Sequence, residues 1–315
     1  MDDTRSLLIV RNPRARTAPA EHELVEASAP LSKAGWQVDI RTTEAPHHAE
    51  TLAREAADAG VRTVVACGGD GTVREVASGL VGSDTALAVM RGGTANVWAR
   101  EMGVPDGARP ALAWMVRAKR HRVDTGLARL DGGAGERFLL MCSVGLDAAV
   151  LRAVDGTGSK KRLGRAAFAW PAMRALRTAA PVDALIGIDG GTPERRSLLL
   201  LVAGNTRSYG GVLRLTPDAL INDGRLDVSS YSTRPEGGRG ALIGRALFRG
   251  LLGRSGDATG IETARGASIR VETAAPLPVQ VDGEYLGTAQ RLEIGVEPSS
   301  LVALIGRSGR TLLRG

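Results

Sequence analysis

The stretch VRTVVACGGDGTVREVASGL, residues 61–80, decides how this chain is read. An apolar run, TVVAC at 63–67, passes into Gly68, Gly69, Asp70 and Gly71, and a helical pattern follows from about Thr72. Glycines at the carboxyl end of a buried strand let backbone N–H groups approach a phosphate closely, and the helix N-terminus adds the positive end of its dipole. An open α/β sheet takes its ligands at such a place. The dinucleotide fingerprint GxGxxG fails, because Arg74 stands where its third glycine belongs, and GxxxxGK followed by Ser or Thr is absent. The same residues also fit a structural turn with Asp70 as a helix cap.

Outward from this turn, apolar runs alternate with helical patterns: strands at SLLIV, WQVDI, TVVAC and ALAVM, helices over 20–34, 48–59, 72–81, 94–102 and 107–118. Such alternation predicts an α/β domain with a parallel sheet and helices on both faces. Beyond Arg122 the texture becomes short strand-like runs separated by Gly, Pro and Asp, which predicts a mainly antiparallel β domain with helical insertions around 160–178 and 239–252. The expected division is a nucleotide-binding domain at 1–122 and a β domain at 123–304, with the tail 305–315 free to pack back on the first. A length of 315 residues allows two such cores.

Lys and Arg number 41 against 34 Asp and Glu, a net charge of +7, which favours anionic partners: a lipid surface, nucleic acid or nucleotide phosphates. The excess is locally dense at Lys160, Lys161, Arg162, Arg165, Arg174 and Arg177. Cys67 and Cys142 lie in apolar runs without metal-like spacing, so a reduced, cytoplasmic compartment is expected. No run approaches the roughly 18 apolar residues of a membrane span, and the acidic start does not resemble a signal peptide. His22, His47, His48 and His121 show no metal-binding spacing, and neither GxSxG nor HExxH occurs.

A second turn, VMRGGTANVWAREMG, repeats the glycine device with Gly92, Gly93, Thr94 and Asn96, where Thr94 could equally be an ordinary helix N-cap. Two such turns on neighbouring strands could grip one polyphosphate. IVRNPRA leaves the first strand through Asn12 and Pro13. In PVQVDGEYLG, Asp282 and Glu284 are two apart, which on an extended segment puts both carboxylates on one side, suited to Mg²⁺ or to taking a proton from an attacking hydroxyl. The competing reading is an Asp-Gly hairpin turn.

The order NPRA, CGGDGTVREV, RGGTANVWARE, VDTG, GLDAAV, GNTRSYGG, LINDGRLDV and VDGE resembles the diacylglycerol kinase-like lipid kinase family, which includes bacterial diacylglycerol kinases and sphingosine kinases; the likeness runs from about residue 6 to 304. GGDGT alone is shared with NAD kinases and phosphofructokinases. The resemblance implies an N-terminal α/β domain of the NAD kinase/phosphofructokinase kind, a C-terminal, mainly antiparallel β-sandwich and an active site in the cleft between them. It implies ATP and Mg²⁺ as cosubstrates, with the γ-phosphoryl group passed to a lipid hydroxyl, most simply that of diacylglycerol. By motif, Asn12, Thr43, Gly68, Gly69, Asp70, Gly71, Thr72, Thr94 and Asn96 become ATP contacts. Asp70, Asp124, Asp282 and Glu284 become an acidic catalytic network with Asp282 or Glu284 as base. Asp223, with the carbonyls of Leu220 and Arg225, becomes the site of a second, structural Mg²⁺.

Departures from the family pattern are Arg16 in NPRAR, Arg91 before GGTAN and Arg74 after GGDGT, each placing an arginine near the expected phosphates. The partner expected is a lipid acceptor at the membrane surface, with the protein peripheral to the inner face; no nucleic acid is expected, and a homodimer is left open. GSKKRLGRAAFAWPAMRALR offers a basic, amphipathic segment for docking on anionic lipid, or else a helix that packs its apolar stripe on the β domain. Two competing functions are a NAD kinase-type small-molecule kinase and a non-catalytic basic module binding membranes or nucleic acid.

Overall fold

Four short apolar runs become strands β1 (Ser6–Arg11), β2 (Gln37–Thr42), β3 (Thr63–Gly68) and β4 (Ala86–Arg91). The computed structural model describes residues 5–146, 148, 180–210, 213–233 and 239–314; the basic stretch at 160–178 lies outside them. β1 pairs with β2 and β3, β3 pairs with β4, and every one of these pairs is parallel. Position in the sheet explains composition. β3 has neighbours on both sides and is buried at every residue, whereas β2 lies at the sheet's end and alternates exposed with half-buried side chains.

The connecting helices are α1 (Glu21–Lys33), α2 (His48–Asp58), α3 (Asp70–Leu80), α4 (Val97–Glu101) and α5 (Ala108–Arg117). α2 buries Ala49, Leu52, Ala53 and Ala56, and α3 buries Val73, Val76, Ala77 and Leu80, the three-four spacing of a single apolar face. The two helices meet at Gly79, where a Cβ would stand 2.3 Å from the carbonyl oxygen of Glu50. α3 starts earlier than the glycine pattern suggests: Gly69 is its N-cap, Asp70 its first residue, and Gly71 lies within its first turn.

Two compact units result, Met1–Asp124 together with Ser299–Gly315, and Thr125–Pro298. The long strands β5 (Lys119–Leu130) and, at the other end, β15 (Glu284–Ile305) carry the chain across that division. In the first unit, Val302 and Ala303 pair parallel with Ala86 and Leu87 of β4, and Gly306 backs onto Trp114, leaving no room for a Cβ.

The second unit contains β6 (Gly135–Phe138), β7 (Met141–Gly145), β8 (Val182–Ile188), β9 (Glu194–Gly204), β10 (Ser208–Tyr209), β11 (Leu213–Arg214), β12 (Leu226–Ser232), β13 (Ile261–Gly266) and β14 (Ser268–Val281). Among the described residues its registered pairs are antiparallel, with β9 bonded to β7, β8 and β12, and β14 bonded to β7, β8 and β15. Val144, Leu201, Val228, Val279 and Leu292 fill the core, and the ring of Phe138 lies directly on Gly126, where a Cβ would come within 2.0 Å of it. With so few rings, this core depends on aliphatic side chains worth about 1.5–3 kcal/mol each when fully buried. Between β12 and β13 runs a helix, α6 (Arg239–Leu252), packed through Gly250 against Leu213 and Leu215.

Candidate active site

The ends of β1, β3 and β4 are laced together by backbone. The Asn12 amide donates to the Cys67 carbonyl at 2.9 Å, the Gly92 amide to the Gly68 carbonyl at 2.9 Å, and the Thr17 amide to the Gly92 carbonyl at 2.9 Å. This lacing makes the two glycine turns touch. A Cβ on Gly92 would lie 2.9 Å from the Cα of Gly68, and one on Gly93 would lie 2.6 Å from the Cα of Gly69. None of these four glycines has a positive φ, so they are required by close approach and not by handedness. The bare backbone of both turns is thus brought to one place.

Side chains complete the cradle. Asn12 Nδ2 donates to Thr72 Oγ1 at 2.9 Å. The Thr43 amide donates to the Arg11 carbonyl at 2.8 Å. Asn12, Thr43 and Thr72, with Arg14, Ala49 and Glu75, line one cavity of about 200 Å³. That is below the roughly 300–1,000 Å³ that enclose a whole ligand, and suits part of one whose remainder stays in the open.

Asp70 reaches beyond its own helix. Its Oδ1 accepts from the Trp98 amide at 3.2 Å, so it closes the N-terminus of α4 and ties the GGDGT turn to the GGTAN turn. Burial raises its pKa, against the lowering effect of amides at Val97, Trp98 and Asn96. Thr94 is exposed, and the N-cap of α4 is Asn96, held left-handed at φ 48. The Asn96 side chain accepts from the Gly93 amide at 2.8 Å and donates to the Gly93 carbonyl at 2.7 Å, which fixes the second turn. Of the unusual arginines, Arg91 pairs with Asp106 at 2.8 Å, Arg74 is buried on α3, and Arg16 is exposed. Asp124 is buried and accepts from the Ser299 amide at 2.7 Å, where the chain is left-handed at φ 52; its visible task is to hold that crossing.

In the second unit the expectation of two carboxylates on one extended face does not hold. Val281 pairs with Glu284, so Asp282 and Gly283 form a two-residue hairpin turn, both left-handed at φ 49 and 84. The Asp282 carboxylate accepts from the amides of Leu139, Leu140 and Met141 at 2.8, 2.9 and 3.0 Å. Asn205 Nδ2 donates to the Leu139 carbonyl at 2.9 Å, and the Gly283 amide donates to Gln280 Oε1 at 2.8 Å. Asn205 thus holds the Leu139 carbonyl and Gln280 holds the Gly283 amide and the Ser143 hydroxyl; spacing did not single out either one, although Asn205 lies in the GNTRSYGG motif. Glu284 is half-buried at the start of β15.

Asp223 is engaged by protein. Its Oδ1 accepts from the Arg225 amide at 3.1 Å, and its Oδ2 is paired with Arg265, whose Nε reaches Asp227 at 3.2 Å. Arg265 therefore takes up part of the charge of Asp223 and Asp227. Among the described residues no three His, Cys, Asp or Glu side chains cluster as metal ligands.

Glycine turns at parallel strand ends are suited to holding phosphate, and comparison with known proteins gives the class. Residues 6–128 match the diacylglycerol kinase catalytic domain, and residues 141–305 match the YegS C-terminal NAD kinase beta sandwich-like domain. A Pseudomonas savastanoi pv. phaseolicola protein named "Probable lipid kinase YegS-like" is 35% identical over 96% of this chain and 93% of its own. A Pseudomonas aeruginosa protein of the same name is 33% identical over 96% and 94%. The crystal structure of a diacylglycerol kinase from Bacillus anthracis superposes with a TM-score of 0.72 at 21% identity, covering 98% of this chain and 99% of its own, a likeness of fold. An Archaeoglobus fulgidus NAD kinase, solved in complex with ATP, gives 0.52 at 14%, covering 98% and 96%. The chain belongs to the diacylglycerol kinase-like family of lipid kinases, enzymes that phosphorylate a hydroxyl acceptor.

Proposed function

We propose that the chain transfers the γ-phosphoryl group of ATP, in its Mg²⁺ complex, to the hydroxyl of a membrane lipid such as diacylglycerol. One observation carries the nucleotide part: Asn12, Thr43 and Thr72, far apart in sequence, line one cavity beside two glycine turns packed backbone to backbone. Phosphoryl transfer asks little covalent help of a protein. It needs the phosphates positioned, their charge neutralised and a base at the attacking oxygen. The amides of Gly68 to Gly71 and the Thr72 hydroxyl hold phosphate oxygens, while Thr94 and Asn96 form the opposite side of the cradle. Mg²⁺ commonly binds through one or two carboxylates plus substrate phosphates, and Asp70, although it also accepts from amides of the second turn, would be one such carboxylate; when bound, the ion supplies charge neutralisation.

We assign the base to Glu284 and a positioning role to Asp282. The Asp282 oxygens accept from three amides and so hold the hairpin, and Glu284 is the half-buried carboxylate that follows at the start of β15. Glu284 would take the acceptor's hydroxyl proton. A structural ion held by Asp223 with the carbonyls of Leu220 and Arg225 would organise the second unit, and no step of the transfer passes through it.

Among the described residues no helix is long and apolar enough to cross a membrane, and a lipid acceptor would bring the enzyme to the surface of the bilayer. The test is radiolabelled ATP with a panel of hydroxylated lipids in mixed micelles, with NAD as an alternative acceptor. The expected result is Mg²⁺-dependent labelling of at least one lipid, reduced about 100-fold or more in Glu284→Gln. Labelling of NAD alone would favour a NAD kinase instead, and labelling unchanged by that substitution would remove Glu284 from the mechanism.

A further inference from the structure

The face that α6 turns outward has the wrong chemistry for water. Among the described residues six large hydrophobic side chains are exposed; Val25, Val116 and Leu185 lie on α1, α5 and β8, one apiece, while Phe248 at 57%, Leu251 at 63% and Leu252 at 56% all belong to α6. Spaced three and four apart, the last three form one ridge at the helix's C-terminal end. Gly244, four residues before Phe248, extends the same side into open space. The opposite side is the packed one, through Leu242 and Gly250. An amphipathic helix that seats one apolar side on its domain and presents a second to solvent marks a docking surface.

Charge identifies what docks. From residue 239 to 254 the sequence holds four arginines and no acid. A cavity of about 400 Å³ opens beside the helix and is lined by Arg214, Arg249 and Arg254 besides Arg265, which is held by Asp223 and Asp227. Arg214 and Arg254 are exposed, and Arg245 and Arg249 are anchored to the carbonyls of the following loop at Thr259, Ser255 and Gly256. Anchored arginines around an apolar ridge match a layer with phosphates outside and acyl chains beneath.

We infer that Phe248, Leu251 and Leu252 insert into an anionic phospholipid bilayer while the arginines beside them meet its headgroup phosphates. This deepens the lipid-acceptor reading, on which it rests, by naming the surface that reaches the membrane.

The experiment uses the full chain, sedimented with vesicles of phosphatidylcholine alone or with about 30 mol % phosphatidylglycerol. The wild type should bind the anionic vesicles at least about tenfold more tightly than the neutral ones, and Phe248→Ser/Leu251→Ser/Leu252→Ser should lose about tenfold or more on the anionic ones. Arg254→Glu should weaken binding in a salt-dependent way. A matching thermal midpoint shows that the triple variant is folded, and Phe248→Ser alone serves if it is not. Equal vesicle binding by wild type and triple variant overturns the inference. So does a wild-type dimer, seen by analytical ultracentrifugation and lost in the triple variant, without vesicle binding; the ridge would then join two copies. Phosphorylation of a short-chain diacylglycerol below its micelle concentration separates the two claims. If that reaction is absent, as is labelling of every lipid of the panel, while the triple variant still loses vesicle binding, the kinase reading fails and the docking surface stands.

Discussion

Asp282 and Glu284 are neighbours in sequence and differ in what surrounds them. Three amides converge on Asp282, an arrangement that only an acceptor with no donor of its own can satisfy. Asp282→Asn should therefore cost about 2–3 kcal/mol in urea unfolding, because one amide oxygen replaces two and an NH₂ group faces donors. Glu284→Gln should cost less stability than Asp282→Asn and still reduce transfer about 100-fold or more. The pair of measurements separates a positioning carboxylate from a base. Glycines divide in the same way. Gly93→Ala would push a methyl into Gly69, so it should cost about 1–3 kcal/mol and weaken nucleotide binding together, read by unfolding and by ATP titration. Asp70, written in the sequence as a helix cap, serves a different helix from the one it begins, because the two turns are in contact.

Among the elements, the β14–β15 hairpin depends on its two-residue turn. Nothing lies within 4 Å of a Cβ built on Gly283, yet its φ is 84. Gly283→Ala should then cost about 1–2 kcal/mol from handedness alone, without steric conflict, and a type I′ partner such as Asn should recover part of that loss. Urea unfolding of the two variants measures the difference. Most strands and helices of the first unit were legible because their periods are plain: TVVAC became a fully buried strand, and the alanine-rich pattern at 48–59 became α2. The start of α3 was not, since glycine reads as a loop until its neighbours show that the chain is already turning. The i, i+2 argument at 282–284 failed for a related reason. Alternation holds within a strand and ends at a turn, and Asp-Gly is itself the turn.

For the whole molecule, each unit carries one buried thiol, Cys67 in the first and Cys142 in the second. Burial pushes the Cys67 thiol up to about 12, against a lowering pull from Arg11. Since the thiolate is the reactive form, neither cysteine should react with a disulfide reagent at pH 8 until its unit opens. In Cys142→Ala the remaining thiol reports on the unit proposed to bind nucleotide. ATP with Mg²⁺ at about 100 times its dissociation constant should raise the free energy at which that thiol appears by about 2.7 kcal/mol. No shift with nucleotide would remove ATP from the first unit.

Taken alone, the sequence determined the strand–helix alternation, the glycine turns, the change of texture after Arg122 and the family likeness, because periodicity and motif order are local properties written in consecutive residues. Only the tertiary structure decided that Gly68 and Gly92 lie backbone to backbone, that Asp282 is held by three amides, that Arg265 pairs with Asp223, and that α6 turns Phe248, Leu251 and Leu252 to solvent. Each of those depends on residues distant in the chain coming within a few ångströms. Which atoms stand opposite a side chain is settled by packing, and no spacing along the chain encodes it.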